Sequence, residues 1–454
     1  MCMKPQPGEK VVKVYCRPKS YPCPRCGLRG HRKRCLQRFV RSLAYGSALW
    51  LHVLYAEYRA RCGCCKTFRS CPPNVCPKAE YDNLVRQAVL NRILDDGLNV
   101  ARTQTAMQRD FGLELSTGFL YGCLQWGLSQ TNQTQQRQVA RASFSGILCI
   151  DELHLGDSTL LLATDPIADR IVGYALVRIN DQAHLRCFLR ALDHWGFGPR
   201  VVVTDGSTLY PSVLQEVWSK ARHQLCVFHV LQDVTRQVLD AVRRLRRQQA
   251  RRGQAGRKRR PGRPSKKQQQ RRQRRGPSNK EKAAFVYKHR FLIVKRTDKL
   301  SKREWEQLCQ MFQYLPQLRP LWHFCGEVYR LFNDTQVVRL ARRRRTLLLK
   351  NETYQEIPEL VKALGLLRED KFDQMIAFLE SPTGQQVRTN NHVERSNRQI
   401  RFDEKVRYKW RSQRSLDRFL RLRLDRLVGN ASGVEPPASA GSRRKQAPRG
   451  NQTV

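Results

Sequence analysis

ILCI at residues 147–150 runs into Asp151, and RVVVT at 200–204 runs into Asp205. Short apolar runs rich in β-branched residues, each closed by polar ones, fit buried strands. Between them, STLLLAT (158–164) and RIVGYALV (170–177) predict two further strands. QAHLRCFLRALDHW (182–195) instead spaces Leu185, Phe188, Leu189 and Leu192 as one face of a helix. After Asp205-Gly206 come a helix over 210–220, a strand-like HQLCVFH (223–229) and another helix. The order is β-β-β-α-β-α-β-α. Three sequential strands followed by α-crossovers predict an α/β fold with a mixed sheet and flanking helices. An acidic residue closes the first and the fourth strand.

If those two strands are neighbours, Asp151 and Asp205 lie a few Å apart. Carboxylates that close repel unless a cation sits between them. Hard oxygen ligands select Mg²⁺ or Mn²⁺, and two such ions ~4 Å apart suit in-line phosphoryl displacement. A third ligand is available in RTNNHVERSNRQIRF (388–402), where Asn390, Glu394, Asn397 and Arg401 share one helical face. That face offers a carboxylate for metal, and amides and a cation for DNA, which makes Asn390, Asn397 and Arg401 candidate DNA contacts. Bland alternatives stay open on residue types alone. An Asp after a strand serves equally as a turn or cap residue. Glu394 among arginines equally fits a solvated helix face. Glu152 and Asp165 also offer carboxylates nearby.

The formal charge is +47, from 85 Lys+Arg against 38 Asp+Glu. A surface that basic calls for a polyanionic partner, nucleic acid first and an anionic membrane surface second. No apolar run approaches the ~20 residues of a spanning helix, and the N-terminus has no signal-peptide core. A cytosolic or nuclear protein is therefore expected.

Ten of the 16 cysteines lie within the first 76 residues. Without a secretion signal, that crowding favours metal over disulfides. Cys23-Pro-Arg-Cys26 and Cys62-Gly-Cys-Cys65 are two knuckles, each able to present two thiolates to one tetrahedral Zn²⁺. The alternating stretch between them, ALWLHVLYAEYRARC, predicts a hairpin feeding the second knuckle. Cys64 is an alternative to Cys65, His31 or Cys35 could complete a different set, and Cys71 with Cys76 could belong to a second site.

Residues 1–78 thus read as a zinc-binding domain and 79–140 as a helical one. Within the latter, 99–112 and 116–127 have helix-turn-helix spacing, with Ser116 as N-cap; simple packing helices are the equal alternative. The α/β domain spans 145–428, with a basic insertion at about 243–280 and a helical one at about 285–385. Residues 243–280 carry 18 basic residues and no acidic one, which predicts an exposed loop. Gly262-Arg263-Pro264 within it is similar to an AT-hook core, placing Arg263 as a minor-groove candidate; nonspecific phosphate binding is the simpler role. The tail 429–454 lacks large apolar side chains and is expected to be disordered. Cys226 and His229 lack two further ligands for zinc; help with substrate DNA is their functional reading.

Jointly, IDE with Asp151, VVVTDG with Asp205, CVFH with Cys226 and His229, and TNNHVERSNRQIR with Glu394 resemble the DDE transposases of bacterial insertion sequences, most closely the ISL-three family. Residues 290–322 are similar to that family's helical insertion, and the N-terminal cysteine domain to its zinc ribbon. The basic run and the segment 405–415 depart from it. The resemblance implies an RNase H-like catalytic domain, with Asp151, Asp205 and Glu394 as the metal-binding triad for strand cleavage and strand transfer. It further implies Mg²⁺ (or Mn²⁺) and Zn²⁺ as cofactors, double-stranded DNA at element ends and target as partner, and no membrane. A homodimer or higher oligomer on DNA, in a bacterial cytoplasm near the nucleoid, completes the expectation. An RNase H-like nuclease or resolvase, and a catalytically inactive zinc-containing DNA-binding regulator, are the alternatives.

Overall fold

A computed structural model describes residues 4–252, 276–406 and 412–431. Arg263 with the AT-hook-like core, and the tail from 432 onward, lie outside the described residues. The chain divides into two compact units, Met1–Gln136 with Arg398–Val454, and Arg137–Asn397. The divisions fall inside the helices Gln133–Ala142 and Asn391–Val406.

The first unit opens on a curled sheet of β1 (Val11–Cys16), β2 (Ser20–Pro22), β3 (Arg29–Ser42), β4 (Leu49–Arg59) and β5 (Thr67–Arg69). β3 and β4 form a hairpin in register from Ser42↔Leu49 to His31↔Arg59, in which the alternating stretch 48–62 supplies the second strand. Alternation puts Val40, Leu51 and Val53 on one face, where they pack with Val75. At the far end of the hairpin, Tyr21, Tyr58 and Phe68 stack with centroids 5.5 and 5.7 Å apart, beside the cysteine knuckles. Gly30 lies under this stack. A Cβ there would stand 2.5 Å from the Arg59 carbonyl oxygen and 2.8 Å from Phe68 Cζ. Because the nearer neighbour is backbone, Gly30→Ala should cost about 1–3 kcal/mol. Chemical denaturation of the N-terminal unit reads this directly; an unchanged midpoint would contradict the packing described.

Three helices follow, α1 (Asn83–Leu94), α2 (Val100–Phe111) and α3 (Thr117–Gln130). Asp82, Asn99 and Ser116 cap them, each side chain accepting an N–H three residues on. α2 ends on Gly112 at φ 63°, the left-handed turn that suits glycine. The C-terminal helix Gln413–Ala431 joins this unit by burying Phe419 and Leu422 with Leu90, Leu120 and Cys123.

The second unit is built on β6 (Ile147–Leu155), β7 (Ser158–Asp165), β8 (Arg170–Val177), β9 (Val201–Thr204) and β10 (Arg222–Leu225), in the order β10-β9-β6-β7-β8. β6, β7 and β8 are antiparallel neighbours, whereas β9 runs parallel to β6 and β10 parallel to β9. That is the RNase H-like sheet. With Gln133–Ala142 as α4, α5 (Gln182–His194) and α6 (Tyr210–Val217) follow and cover one face through Leu185, Phe188, Leu189, Leu192, Tyr210 and Val213, against Leu148, Ile150, Leu161 and Val202. A separate helical core gathers Leu308, Met311, Leu321, Phe324, Phe332, Leu360 and Phe372 around α7 (Val227–Arg252).

Three local expectations are corrected. Asp151 does not end its strand: β6 continues to Leu155 because β7 still pairs with it, after the pairing with β9 has stopped at Cys149. Val227, Phe228 and His229 are not strand. The Cys226 N–H closes on the Thr204 carbonyl, and Val230 already bonds back to Cys226 as a helix. The basic run is not loop throughout. Its first ten residues continue α7, where Leu245 packs against the helical core and Arg244 pairs with Glu359 at 2.7 Å.

Candidate active site and metal centres

β6 and β9 lie side by side with Cys149 opposite Val203. Two residues further along each chain come Asp151 and Asp205, so the parallel register itself brings the two carboxylates to adjacent positions. The third arrives on the helix Asn391–Val406. Asn390, just before it and fully buried, donates Nδ2–H to the Ile150 carbonyl at 2.9 Å, while its own N–H points to Cys226 Sγ at 3.2 Å. One turn on stands Glu394, and three residues later Asn397 donates to Asp151 Oδ2 at 2.8 Å. A helix tied to β6 at both Asn390 and Asn397 carries Glu394 between them.

The electrostatics agree with that convergence. Burial pushes the Asp151 carboxyl up to about 6; Asp205 and Glu394 add to the rise, and hydrogen bonds from the Glu152 backbone and Asn397 oppose it. Asp205 and Glu394 are thus near enough for Asp151 to feel their charge, a crowding that a cation would relieve. The Asn397 Oδ1 atom is buried and has no hydrogen-bond partner among the described residues. Asp151, Asp205 and Glu394 offer hard oxygens that would fit Mg²⁺ or Mn²⁺, and Glu394 also stands within reach of the Cys226 thiol and the His229 imidazole.

The rival carboxylates are occupied elsewhere. Asp165 is buried and accepts from Ser145 N and Oγ (2.7 and 2.8 Å) and from Ile167 N and Ala168 N (2.9 and 3.1 Å), closing the turn after β7. Strand alternation turns Glu152 to the opposite face from Asp151, where it accepts from Asn180 Nδ2 at 2.6 Å. Of the expected DNA contacts, Asn390 and Asn397 are instead buried and engaged inside the protein. Arg401 is exposed.

Behind Asp205, Thr204 Oγ1 lies 2.8 Å from His223 Nε2 and donates to the Asp205 carbonyl at 2.9 Å, so His223 is the donor to Thr204. Burial holds His223 down at about 4. Folded His223 is thus neutral where an unfolded chain, with a pKa near ~6.5, takes up a proton. Stability should fall as pH drops from about 6.5 to about 4. His223→Gln should flatten that segment of the unfolding-versus-pH curve, and an unaltered slope would remove His223 as its cause.

At the N-terminus, the first knuckle is closed by Gly27 at φ 75°, with Gly27 N bonded to Cys23 O and Cys23 N to Leu28 O, both at 2.9 Å. The Arg25 and Cys26 N–H groups aim at the Cys23 sulfur and hold its thiol down at about 6. Cys23 Sγ lies 3.6 Å from both Cys64 and Cys65 Sγ, and Cys64 Sγ lies 3.0 Å from Cys62 and 3.4 Å from Cys26. Thiolates on one tetrahedral zinc are about 3.8 Å apart. The ligand atoms of Cys23, Cys62, Cys64 and Cys65 all lie within 4.8 Å of one another, a Cys₄ group of zinc-binding character. Five sulfurs therefore converge on four positions. Cys64, which the spacing offered as an alternative to Cys65, stands in the group together with it, and the exposed Cys26 lies beside Cys64. Cys71 and Cys76 form no second site: their thiols donate to the Val75 carbonyl and to Asn83 Oδ1.

The family model of the ISL3-type DDE transposases, described as "Transposase", matches residues 148–414, more than half of the chain. The chain belongs to the ISL-three transposase family. No curated protein matches it. Membership makes this family member an enzyme acting on DNA, in keeping with its charge. No described helix is long and apolar enough to cross a membrane. The matched span holds Asp151, Asp205 and Glu394 together with the helices of the insertion.

Two features of the family member's site, the partner of His229 and the place of Tyr210, were not read from the sequence. His229 Nε2 lies 3.7 Å from Glu394 Oε1. The Cys226 sulfur chiefly, then Glu394 and Asp205, lift the His229 imidazole to about 9 against the desolvation that lowers it. Tyr210, read only as a helix start, is fully buried close to Glu152, Asp205 and Asp151, and burial pushes its hydroxyl well above the usual phenol range. The Cys226-x-x-His229 spacing was a visible signal for the first. Nothing in the sequence marked the second.

Proposed function

We propose that this transposase-family member cuts DNA at the ends of an insertion sequence and joins the resulting 3′-hydroxyl to a target phosphodiester, using Asp151, Asp205 and Glu394 to hold two Mg²⁺ or Mn²⁺ ions. The observation that supports this reading is that two adjacent parallel strands lead into Asp151 and Asp205, while Asn390 and Asn397 tie the helix carrying Glu394 to the first of them. The ions, when bound, supply activation of the attacking oxygen and stabilisation of the leaving one. The chain's own residues set the geometry. Asn397 fixes the direction of the Asp151 carboxylate through Oδ2. The Ser207 N–H fixes Asp205 through Oδ1 at 3.0 Å. Asn390 anchors the helix that presents Glu394.

DNA is held by the basic surface, whose phosphate contacts should make binding steeply salt-dependent. The zinc domain, the α2–α3 pair with Ser116 as its cap, and the basic insertion with Arg263 are the further DNA-holding elements of the proposal. α3 carries no Lys or Arg, so base-edge contacts from it would come from Thr117, Gln125 and Ser129. A homodimer on paired ends follows from the two-ended reaction.

Pre-cut element ends bearing free 3′-hydroxyls, mixed with target plasmid and Mg²⁺, should give covalently joined products. Cutting of intact ends without any joining of pre-cut ones would favour a nuclease or resolvase and reject the strand-transfer step.

A further inference from the structure

We infer that Cys226, His229 and Glu394 form a second site for a borderline-soft ion, Zn²⁺ or Co²⁺, which competes with the hard-metal role of Glu394. By spacing alone, Cys226 and His229 were two ligands with no partner; the fold supplies Glu394. One ligand atom from each residue lies within 4.8 Å of the others, and His229 Nε2 is 3.7 Å from Glu394 Oε1. Nitrogen and oxygen ligands on a tetrahedral zinc stand about 3.4 Å apart, so closing the site needs only a small side-chain adjustment.

The ligands are well positioned. Cys226 is buried at the start of α7, between the Thr204 carbonyl that accepts its N–H and the Asn390 N–H that aims at its sulfur. His229 follows three residues later, at the same helix end, with its side chain one-third exposed and so open to an entering ion. Glu394 is held by the Asn390 and Asn397 anchors.

The chemistry selects the ion. A thiolate, an imidazole and a carboxylate with one open position are a zinc set, whereas Mg²⁺ takes oxygen ligands and keeps its waters. Glu394 turned toward zinc is withdrawn from Asp151 and Asp205. Zinc in this site therefore acts as a brake on Mg²⁺-dependent cutting, a consequence that rests on the proposed role of Glu394.

The test uses the full-length chain, saturated with Zn²⁺ or Co²⁺ and freed of excess by gel filtration. Elemental analysis should find one more ion per chain in the wild type than in His229→Asn, whatever the N-terminal cysteines hold. Thiolate-to-cobalt absorption should fall in Cys226→Ser, with thermal melts establishing that both variants are folded. Affinity for the additional ion should drop by at least about tenfold in His229→Asn. Adding that ion to the wild type should slow cutting in Mg²⁺ to a similar degree. Equal metal content in wild type and His229→Asn overturns the site. A filled second site with undiminished Mg²⁺-dependent cutting overturns the competition. Failure of the triad reading is distinct: Asp205→Asn would still cut in Mg²⁺, while the difference in metal content would be untouched.

Discussion

Asp205→Asn is expected to lower Mg²⁺-dependent cutting of element-end DNA by at least about 10³-fold while leaving DNA binding nearly intact. The substitution keeps the shape of the side chain and the oxygen that accepts the Ser207 N–H at 3.0 Å, so the turn after β9 should survive. What it removes is one negative charge from a cluster in which Asp151 already feels Asp205 and Glu394. Losing that charge weakens the attraction for a divalent ion and cannot weaken attraction for phosphates. Asp205→Ala should lose cutting equally and some stability besides. Cleavage in Mg²⁺ by either folded variant at more than a few per cent of the wild-type rate would show that the triad is wrongly assigned.

Removing metal from the N-terminal cysteines is expected to unfold the knuckle end of the β3–β4 hairpin and leave the RNase H-like unit folded. Structural zinc sites contribute on the order of 10 kcal/mol or more to small domains. Here the end in question has little else to hold it: Ala56, Tyr58, Phe68 and the sulfurs form one small cluster, separate from the Val40–Leu49–Val53 cluster further along the sheet. Amide exchange should therefore accelerate over residues 21–30 and 56–69 after chelation, and remain slow in β7, which is buried throughout, and in the buried first half of β6. Cys23→Ser should reproduce the effect without chelator, because Cys23 belongs both to the spacing-derived set (Cys23, Cys26, Cys62, Cys65) and to the geometric one (Cys23, Cys62, Cys64, Cys65). Unchanged exchange over these residues after complete metal removal would exclude a structural zinc there.

Much of the catalytic unit was legible because its elements announce themselves locally. β7 is buried along its whole length, and a run such as Leu160-Leu-Leu-Ala163 has no other stable place. The four apolar positions of α5 all became core, since helical periodicity fixes which face can bury. Errors fell where two local signals competed. Val227-Phe-His229 has strand-like residue types, but the sheet ends when the Cys226 N–H meets Thr204, and the chain turns helical. Arg243–Arg252 looked too charged to pack, yet Ala241, Val242 and Leu245 keep one face of α7 apolar enough to stay helical. Asn390 and Asn397 had the residue type of DNA contacts. Their burial, and so their work as anchors, depends on a strand some 240 positions away.

By itself the sequence determined the order of strands and helices, the two cysteine knuckles, the basic character that points to DNA, and the identity of two carboxylates beside buried strands. Those follow from periodicity, charge and spacing, which are properties of neighbours along the chain. Only the tertiary structure decided which carboxylates are engaged elsewhere and what surrounds the rest. The parallel register of β6 with β9 led both strands toward Asp151 and Asp205 and turned Glu152 away, and the Asn390 and Asn397 hydrogen bonds tied the helix carrying Glu394 to β6. It likewise brought His229 and Cys226 to Glu394 and crowded Cys64 among the zinc-type thiols. The physical reason is one and the same: pairing register and long-range hydrogen bonds join residues far apart in the chain, and no local pattern encodes which partner each will find.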